Sequence, residues 1–257
     1  MSQAAPAAGS PAVGPLRHPG RRPVLVHRFS LAERVLHWAF TVIVTVLTLS
    51  GLGLYLPPGS NPVLDRRELI REVHIDAAIA LILLPVLISG ARPGTFGRLW
   101  RDVERFTGED WRWLLRIWIP ARWRRAGLPP QGRFNAGQKL NTIAVAAATV
   151  GFIATGALMY EGGHLPTSVS EAADSWHVWL MLLGAPLVAG HLVLAMVVPS
   201  TRPALRGIVT GKVLLDFARR RHALWAEAVA PRADLPEPEA PSAPGASLTG
   251  TAARPDG

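Results

Sequence analysis

The sequence predicts an all-α integral membrane protein, a bundle of four transmembrane helices with both chain termini on the cytoplasmic side. The chain has 257 residues, 49% of them hydrophobic, and the apolar residues fall in blocks instead of alternating with polar ones. A helix that crosses the hydrocarbon core needs about 20 mostly apolar residues, each adding about 1.5 Å of rise. Four stretches meet this requirement: residues 33–56, 69–89, 138–160 and 174–198.

The distribution of basic residues predicts how the bundle is oriented. Eleven basic residues against four acidic ones lie between Gly90 and Lys139, and more precede the first span and follow the fourth. The connection between the third and fourth spans contains no Lys or Arg. Because cytoplasmic loops carry the excess of Lys and Arg, both termini and the long middle loop are expected in the cytoplasm. The net charge of +9 then reflects orientation and contact with anionic lipid, and not nucleic-acid binding.

The rest of the chain is divided by composition. Residues 1–23 and 231–257 are rich in Ala, Pro, Gly or Ser, and both are predicted to be disordered tails around a domain at 24–222. Tryptophans and arginines alternate with apolar residues over Asp110–Arg125, with a break at Pro120. This pattern predicts an interfacial helix between spans two and three, with a solvent-exposed loop helix as the alternative. No internal repeat is evident.

The chain contains no cysteine. This excludes disulfides, iron–sulfur clusters held by thiolates, and haem attached covalently through a C-x-x-C-H motif. Any redox cofactor must therefore be held by other ligands.

Histidines stand out inside the predicted spans. Ionisable residues in a membrane are costly and usually mark a function. Span one runs outward and spans two and four run inward, so His37 and His191 fall towards the cytoplasmic side, whereas His74 and His177 fall towards the periplasmic side. The other four histidines are predicted to be solvated in tails or loops: His18, His27, His164 and His222.

The histidine spacing on span four indicates the kind of site. His191 lies fourteen positions after His177, which is about 21 Å of rise and close to four whole turns, so both project from one face. A neutral imidazole is a strong nitrogen ligand that adds no buried charge. We therefore predict two b-type haems, with iron held by His37 and His191 in one and by His74 and His177 in the other. Zinc or copper is the alternative, but neither pair has a third ligand.

Two arginines accompany the histidines. Arg34 and Arg71 each stand three residues before a histidine, at His37 and His74, and therefore on the same helix face. Both are candidates to pair with haem propionates, and both are equally ordinary arginines of a membrane interface.

The motifs together resemble a known family. They are the His37–Trp38 pair, the histidine that opens span two, the FNAGQK stretch at 134–139, the two histidines fourteen apart, and GIVTGKV at 207–213. Over residues 26–221 the chain resembles the gamma subunit of respiratory formate dehydrogenase, a membrane cytochrome b. The wider group includes the cytochrome b subunits of nickel–iron hydrogenases and thiosulfate reductases, and FNAGQK is the part that points to formate dehydrogenase.

The resemblance also implies a quinone site. By this likeness, Asn135, Gly137 and Gln138 would form a pocket for menaquinone or ubiquinone next to the cytoplasmic-side haem and its ligand His191. Asn135 and Gln138 are also spaced as a helix N-cap and its capping partner, and both roles are compatible.

The function implied is electron transfer within a larger oxidoreductase of the bacterial inner membrane. Electrons would pass from a periplasmic iron–sulfur beta subunit, fed by a catalytic alpha subunit with molybdenum or tungsten, through two b haems to quinone at the cytoplasmic side. The chain itself would not oxidise formate. Several copies of the complex could assemble into a higher oligomer. Hydrogenase or thiosulfate reductase partnership is the alternative. A small transporter or proton channel is disfavoured, because only VWLMLLGAPLVAG separates His177 from His191.

Overall fold

The computed structural model describes residues 23–123 and 127–233, and the fold is an all-α four-helix membrane bundle with one small ribbon. Most of the predicted tails at 1–23 and 231–257 lies outside the described residues. The elements in chain order are β1 (Leu25–His27), α1 (Leu31–Tyr55), α2 (Arg67–Ala91), α3 (Thr95–Glu104), α4 (Gly108–Ile117), α5 (Ala136–Tyr160), α6 (Thr167–Leu192), α7 (Leu205–Thr210), β2 (Lys212–Leu214), α8 (Leu215–Arg221) and α9 (Ala223–Ala233).

The four predicted spans are confirmed as α1, α2, α5 and α6, each long and apolar enough to cross a membrane. Helix α2 runs through Pro85 without ending. Helix α6 begins at Thr167, seven residues before the predicted start of span four, because its first two turns are polar and escape a hydropathy criterion. A single π-helical turn over Val193–Val197 continues it.

The long helices form two hairpins. Helix α1 packs along α2, and α5 packs along α6, whereas α6 makes little close backbone contact with α1 or α2. Within the second hairpin the approach is tight, since a Cβ at Gly151 would lie 2.9 Å from a Leu180 methyl. A Cβ built at Gly184 or Gly190 of α6 would meet nothing within 4 Å among the described residues. The two hairpins therefore stand apart and leave room beside α6.

The connection between the second and third spans differs from the prediction. One interfacial helix over Asp110–Arg125 is predicted, but the described residues hold two helices, α3 and α4, and the second ends at Ile117 before Pro120. Thr107 caps α4 and shares a capping box with Asp110, which places a carboxylate at the start of the helix. Helix α3 was not predicted, although its sequence TFGRLWRDVE carries an apolar residue at Phe96 and again three, four and seven positions later, which is helical spacing.

A compact segment closes the end of the bundle where the described chain begins and ends. Strand β1 pairs antiparallel with β2, with Val26 opposite Val213. Between α7 and β2, Gly211 adopts a φ of 84°, which glycine reaches without strain, and its carbonyl accepts from the backbone N–H of Arg28 and Phe29. Helices α8 and α9 pack against the ribbon in a small apolar core: Val26, Val213, Leu215, Phe217, Ala218 and Ala226.

Candidate functional site

The four membrane histidines come together as two pairs. His37 on α1 faces His191 on α6, with ring centroids 6.3 Å apart and ring planes at 64°. His74 on α2 faces His177 on α6 with the same separation and the same angle. We call His37–His191 the near pair, because it lies beside the ribbon, and His74–His177 the far pair. The structure thus brings together the same histidine side chains that the sequence predicts to face each other.

Hydroxyl groups hold the rings of the far pair. Oγ of Ser50 on α1 lies 2.8 Å from Nδ1 of His74, and Oγ1 of Thr155 on α5 lies 2.8 Å from Nδ1 of His177. Phe152 stands edge-on to the His177 ring at 5.1 Å. Each far-pair histidine is therefore oriented by a side chain on its hairpin partner helix.

The near pair is held differently. Trp38 stands edge-on to the His37 ring at 5.5 Å and donates its indole N–H to the Ile208 carbonyl oxygen at 3.3 Å. Within the part of the chain that the structure describes, no hydrogen bond reaches a ring nitrogen of His37 or His191. The near pair thus rests on aromatic packing and on the link from α1 to α7.

Comparison with known families shows to which family the chain belongs. The sequence model of prokaryotic cytochrome b561 matches residues 28–211, a range that contains all four paired histidines. The chain belongs to the prokaryotic cytochrome b561 family. This family consists of multi-pass membrane electron-transfer proteins that bind haem b. A search of curated proteins finds no match to the chain.

The histidine pairs of this cytochrome b561 fit haem iron. Imidazole nitrogen binds a metal at about 2 Å and lies about 1 Å from its ring centroid, so iron between two imidazoles separates the centroids by about 6 Å. Both pairs have a separation of 6.3 Å. A closed site for zinc needs four ligands, and the described residues contain no group of three or more side chains suited to a metal. Two ligands per site suit a metal whose other ligands come from a porphyrin.

The space beside α6 also suits a flat cofactor. Gly184 stands seven residues, about two turns, from each of His177 and His191, and therefore projects from nearly the same face. That face is open at Gly184 within the described residues. A larger side chain there would fill the room between the two pairs.

The two predicted propionate arginines have other partners. Nη1 of Arg34 donates to the Val209 carbonyl oxygen at 2.8 Å, which ties α1 to α7. Arg71 is exposed and lies 3.9 Å from Glu68 on its own helix, a weak surface pair. Both retain further N–H groups, so the propionate role of each stays a prediction.

The predicted quinone residues form the beginning of α5. Oδ1 of Asn135 accepts from the backbone N–H of Gln138 at 2.9 Å, and Oε1 of Gln138 accepts from the backbone N–H of Asn135 at 3.0 Å. The capping box is therefore confirmed. A Cβ at Gly137 would lie 3.3 Å from the ring of Trp113 on α4, so the glycine permits close packing there.

A charged network that was not predicted from the sequence lies beneath this motif. Arg133 pairs with Glu33 at 2.7 Å and with Asp102 at 2.8 Å, and so joins the start of α1 to α3 and to the segment before α5. Lys139, inside FNAGQK, makes a buried ion pair with Asp110 at 2.9 Å. The basic residues of this loop were interpreted as orientation signals, and nothing local in the sequence identifies their acidic partners.

His222 was predicted to be solvated, and this is wrong. The ring is 2% exposed, and Nδ1 donates to the Gly132 carbonyl oxygen at 2.9 Å. Burial, together with the charges of Arg28 and Arg221, lowers the pKa of His222 to about 3. His222 is therefore a neutral structural residue that fastens α8 and α9 to the segment before α5. His27 and His164 are exposed as predicted, and His18 lies outside the described residues.

A short repeat in the sequence marks the hydroxyl contacts. Ser50–Gly51 stands five residues before the Tyr55 that ends α1, and Thr155–Gly156 stands five residues before the Tyr160 that ends α5. In each case the glycine gives room to the histidine that the hydroxyl contacts: a Cβ would lie 3.3 Å from His74 Cε1 at Gly51 and 3.5 Å from His177 Cε1 at Gly156. This repeat was the available signal, and it was overlooked.

Proposed function

We propose that this cytochrome b561 is the membrane subunit of a formate dehydrogenase-like complex, and that it carries electrons through two b haems to a quinone. The main support for this proposal is the geometry of the two histidine pairs. In each pair the ring centroids are 6.3 Å apart, and the family binds haem b. In this proposal His74 and His177 ligate one haem and His37 and His191 ligate the other. A haem b at each pair supplies reversible one-electron iron chemistry.

The stacking of the pairs supports transfer across the membrane. The two histidines of α6 are about 21 Å apart along the helix, so the pairs occupy opposite halves of a hydrocarbon core about 30 Å thick. Apolar residues fill the helix between them, which disfavours a proton channel. The residues of this chain thus position and insulate electron carriers, and do not provide a polar path.

The quinone site is proposed at the near-pair end. Asn135 and Gln138 each use the side-chain oxygen in the capping box, and neither side-chain NH2 group has a hydrogen-bond partner among the described residues. Both side chains are half-buried. Amide donors at the start of a helix suit a carbonyl oxygen that gains negative charge on reduction, because the helix dipole favours negative charge there.

The orientation of the complex follows from charge. The near-pair end carries the basic loop and the basic residues after α6, which favours the cytoplasmic side of the bacterial inner membrane. The far pair would then face the periplasm and receive electrons from an iron–sulfur beta subunit, itself fed by a molybdenum or tungsten alpha subunit. The FNAGQK motif supports a formate dehydrogenase as partner.

The experiment is to reduce the haems of the native complex with different electron donors. The tagged chain is purified with its partners in mild detergent, and formate, hydrogen or reduced sulfur donors are added while the b-haem absorbance is followed. We expect formate to reduce the haems, and added menaquinone or ubiquinone to reoxidise them. Reduction by hydrogen and not by formate would reject the formate partner in favour of a hydrogenase. If haem is present and no donor reduces it, the proposal that the chain belongs to such a complex is rejected.

A further inference from the structure

The hydroxyl of Ser50 fixes which nitrogen of His74 carries the proton. Oγ of Ser50 lies 2.7 Å from the Val46 carbonyl oxygen and 2.8 Å from Nδ1 of His74. A hydroxyl has one proton, and the carbonyl can only accept, so the Ser50 proton goes to Val46. Ser50 must then accept from His74, which requires Nδ1 to be protonated. Nε2 of His74 is left with its lone pair.

Thr155 fixes the tautomer of His177 in the same way. Oγ1 of Thr155 donates to the Gly151 carbonyl oxygen at 2.8 Å and lies 2.8 Å from Nδ1 of His177. His177 therefore donates from Nδ1–H and keeps its lone pair on Nε2. In the far pair, Nε2 of both histidines is therefore free to bind a metal. Helix α1 orients His74 through Ser50, and α5 orients His177 through Thr155.

These contacts are specific to two residues among many similar ones. Several Ser and Thr side chains in α1 and α5 bond only to a carbonyl of their own helix, Thr48 and Thr149 among them. Ser50 and Thr155 make the same internal bond and reach a histidine as well. The internal bond alone is ordinary for helical Ser and Thr, so the second contact distinguishes the pair.

The contacts also separate the far pair from the near pair electronically. An acceptor on Nδ1–H makes imidazole a stronger electron donor at Nε2, which stabilises the more oxidised metal and lowers its reduction potential. Within the described residues, His37 and His191 have no such acceptor. The two sites therefore differ in ligand strength although their ring separations are equal.

We infer that Ser50 and Thr155 are positioning residues that hold the far-pair haem at a lower reduction potential than the near-pair haem. This rests on the proposed two-haem function and adds a direction to it, since electrons then move downhill from the far pair to the near pair. Reverse transfer from quinone is correspondingly disfavoured.

The test is potentiometry of the purified holoprotein with haem counted first. Ser50→Ala and Thr155→Val remove the acceptors, and Thr48→Val and Thr149→Val are matched controls that lose only a bond within their own helix. The potential missing from a His74→Ala variant identifies the far-pair haem. We expect that potential to rise in Ser50→Ala and Thr155→Val, to rise further in the double variant, and to stay unchanged in both controls. The near-pair potential should not move.

The conservative variants Ser50→Thr and Thr155→Ser separate electronic from merely structural effects. Restoration of the wild-type potential by these variants supports the inference. If Ser50→Ala loses the far-pair haem, the far-pair potential of Thr155→Val decides instead. Two bound haems with unchanged potentials in both single variants would overturn the inference while leaving the proposed function intact. Fewer than two haems in the wild-type protein would instead overturn the proposed function itself.

Discussion

Arg28 and Arg133 each donate to the main-chain carbonyl oxygen of the other. Nη2 of Arg28 lies 2.7 Å from the Arg133 oxygen, and Nε and Nη2 of Arg133 lie 3.0 and 2.7 Å from the Arg28 oxygen. Burial and the neighbouring Arg133 charge lower the pKa of Arg28 to about 10, and the rings of Phe29 and Trp225 cover its guanidinium. This exchange holds the two chain segments that precede α1 and α5 together, beneath the near pair.

Arg133→Ala should destabilise the protein strongly. The change leaves Glu33, which is 10% exposed, without its cation, and removes the bonds to the Arg28 carbonyl. Removal of one partner from a buried ion pair costs about 3–5 kcal/mol. We expect a clearly lower midpoint of thermal unfolding in detergent, measured by circular dichroism. Arg112→Ala is the control, because among the described residues Arg112 pairs only with Glu109 on the same exposed helix face. Equal midpoints for the two variants would contradict this role of Arg133.

His222 should make the protein sensitive to acid. Its pKa falls from 6.5 to about 3 on folding, so the unfolded chain binds the additional proton between these values. The stabilising effect of neutral His222 is therefore complete above about pH 6.5 and is lost as the pH falls towards 3, by at most about 1.4 kcal/mol per pH unit. We expect His222→Gln to flatten the fall in unfolding midpoint between pH 6.5 and 4.5. The exposed His164→Gln should keep the wild-type slope, and an unchanged slope in His222→Gln would exclude this residue as the cause.

The bundle and the pairing of the histidines could be predicted from sequence because both depend on local regularities. Apolar runs determine the spans, and a helix rise of about 1.5 Å per residue determines the depth of each histidine. The ribbon of β1 and β2 could not be predicted, since each strand has three residues and the partners stand almost 190 positions apart. The partners of Arg133 are also remote in sequence, between 31 and 105 positions away. Burial of His222 depends on a contact of the same kind, with Gly132 at 90 positions away, and so it was missed.

Gly51 should be more sensitive to substitution than Gly156. A Cβ at Gly51 would lie 3.3 Å from His74 Cε1, closer than side chains normally approach, whereas 3.5 Å at Gly156 is an ordinary contact. Alanine stabilises a helix relative to glycine by about 1 kcal/mol, so any loss in Gly51→Ala must come from the histidine. We expect Gly51→Ala to lose far-pair haem and Gly156→Ala to retain it, measured as haem per chain. The reverse order would show that the space beside His74 is not needed.

The residues proposed to bind quinone can be changed without disturbing the helix that they cap. Asn135→Asp with Gln138→Glu keeps both acceptor oxygens of the capping box and removes both NH2 groups, and a carboxylate is favourable at a helix N-terminus. We expect a raised KM for quinone, with unchanged haem content and unfolding midpoint. Asn135→Ala is the comparison, because it removes the cap as well and should lower stability by about 1 kcal/mol. An unchanged KM in the double variant would exclude these amides from quinone binding.

The two-haem proposal is tested most simply by a count of b haems per chain in purified protein, from the reduced-minus-oxidised absorbance and the protein concentration. We expect two haems in the wild type, one in His74→Ala, one in His37→Ala and none in the double variant. A single haem in the wild type would contradict it. So would retention of both haems after either substitution, because the paired histidines would then not be the ligands.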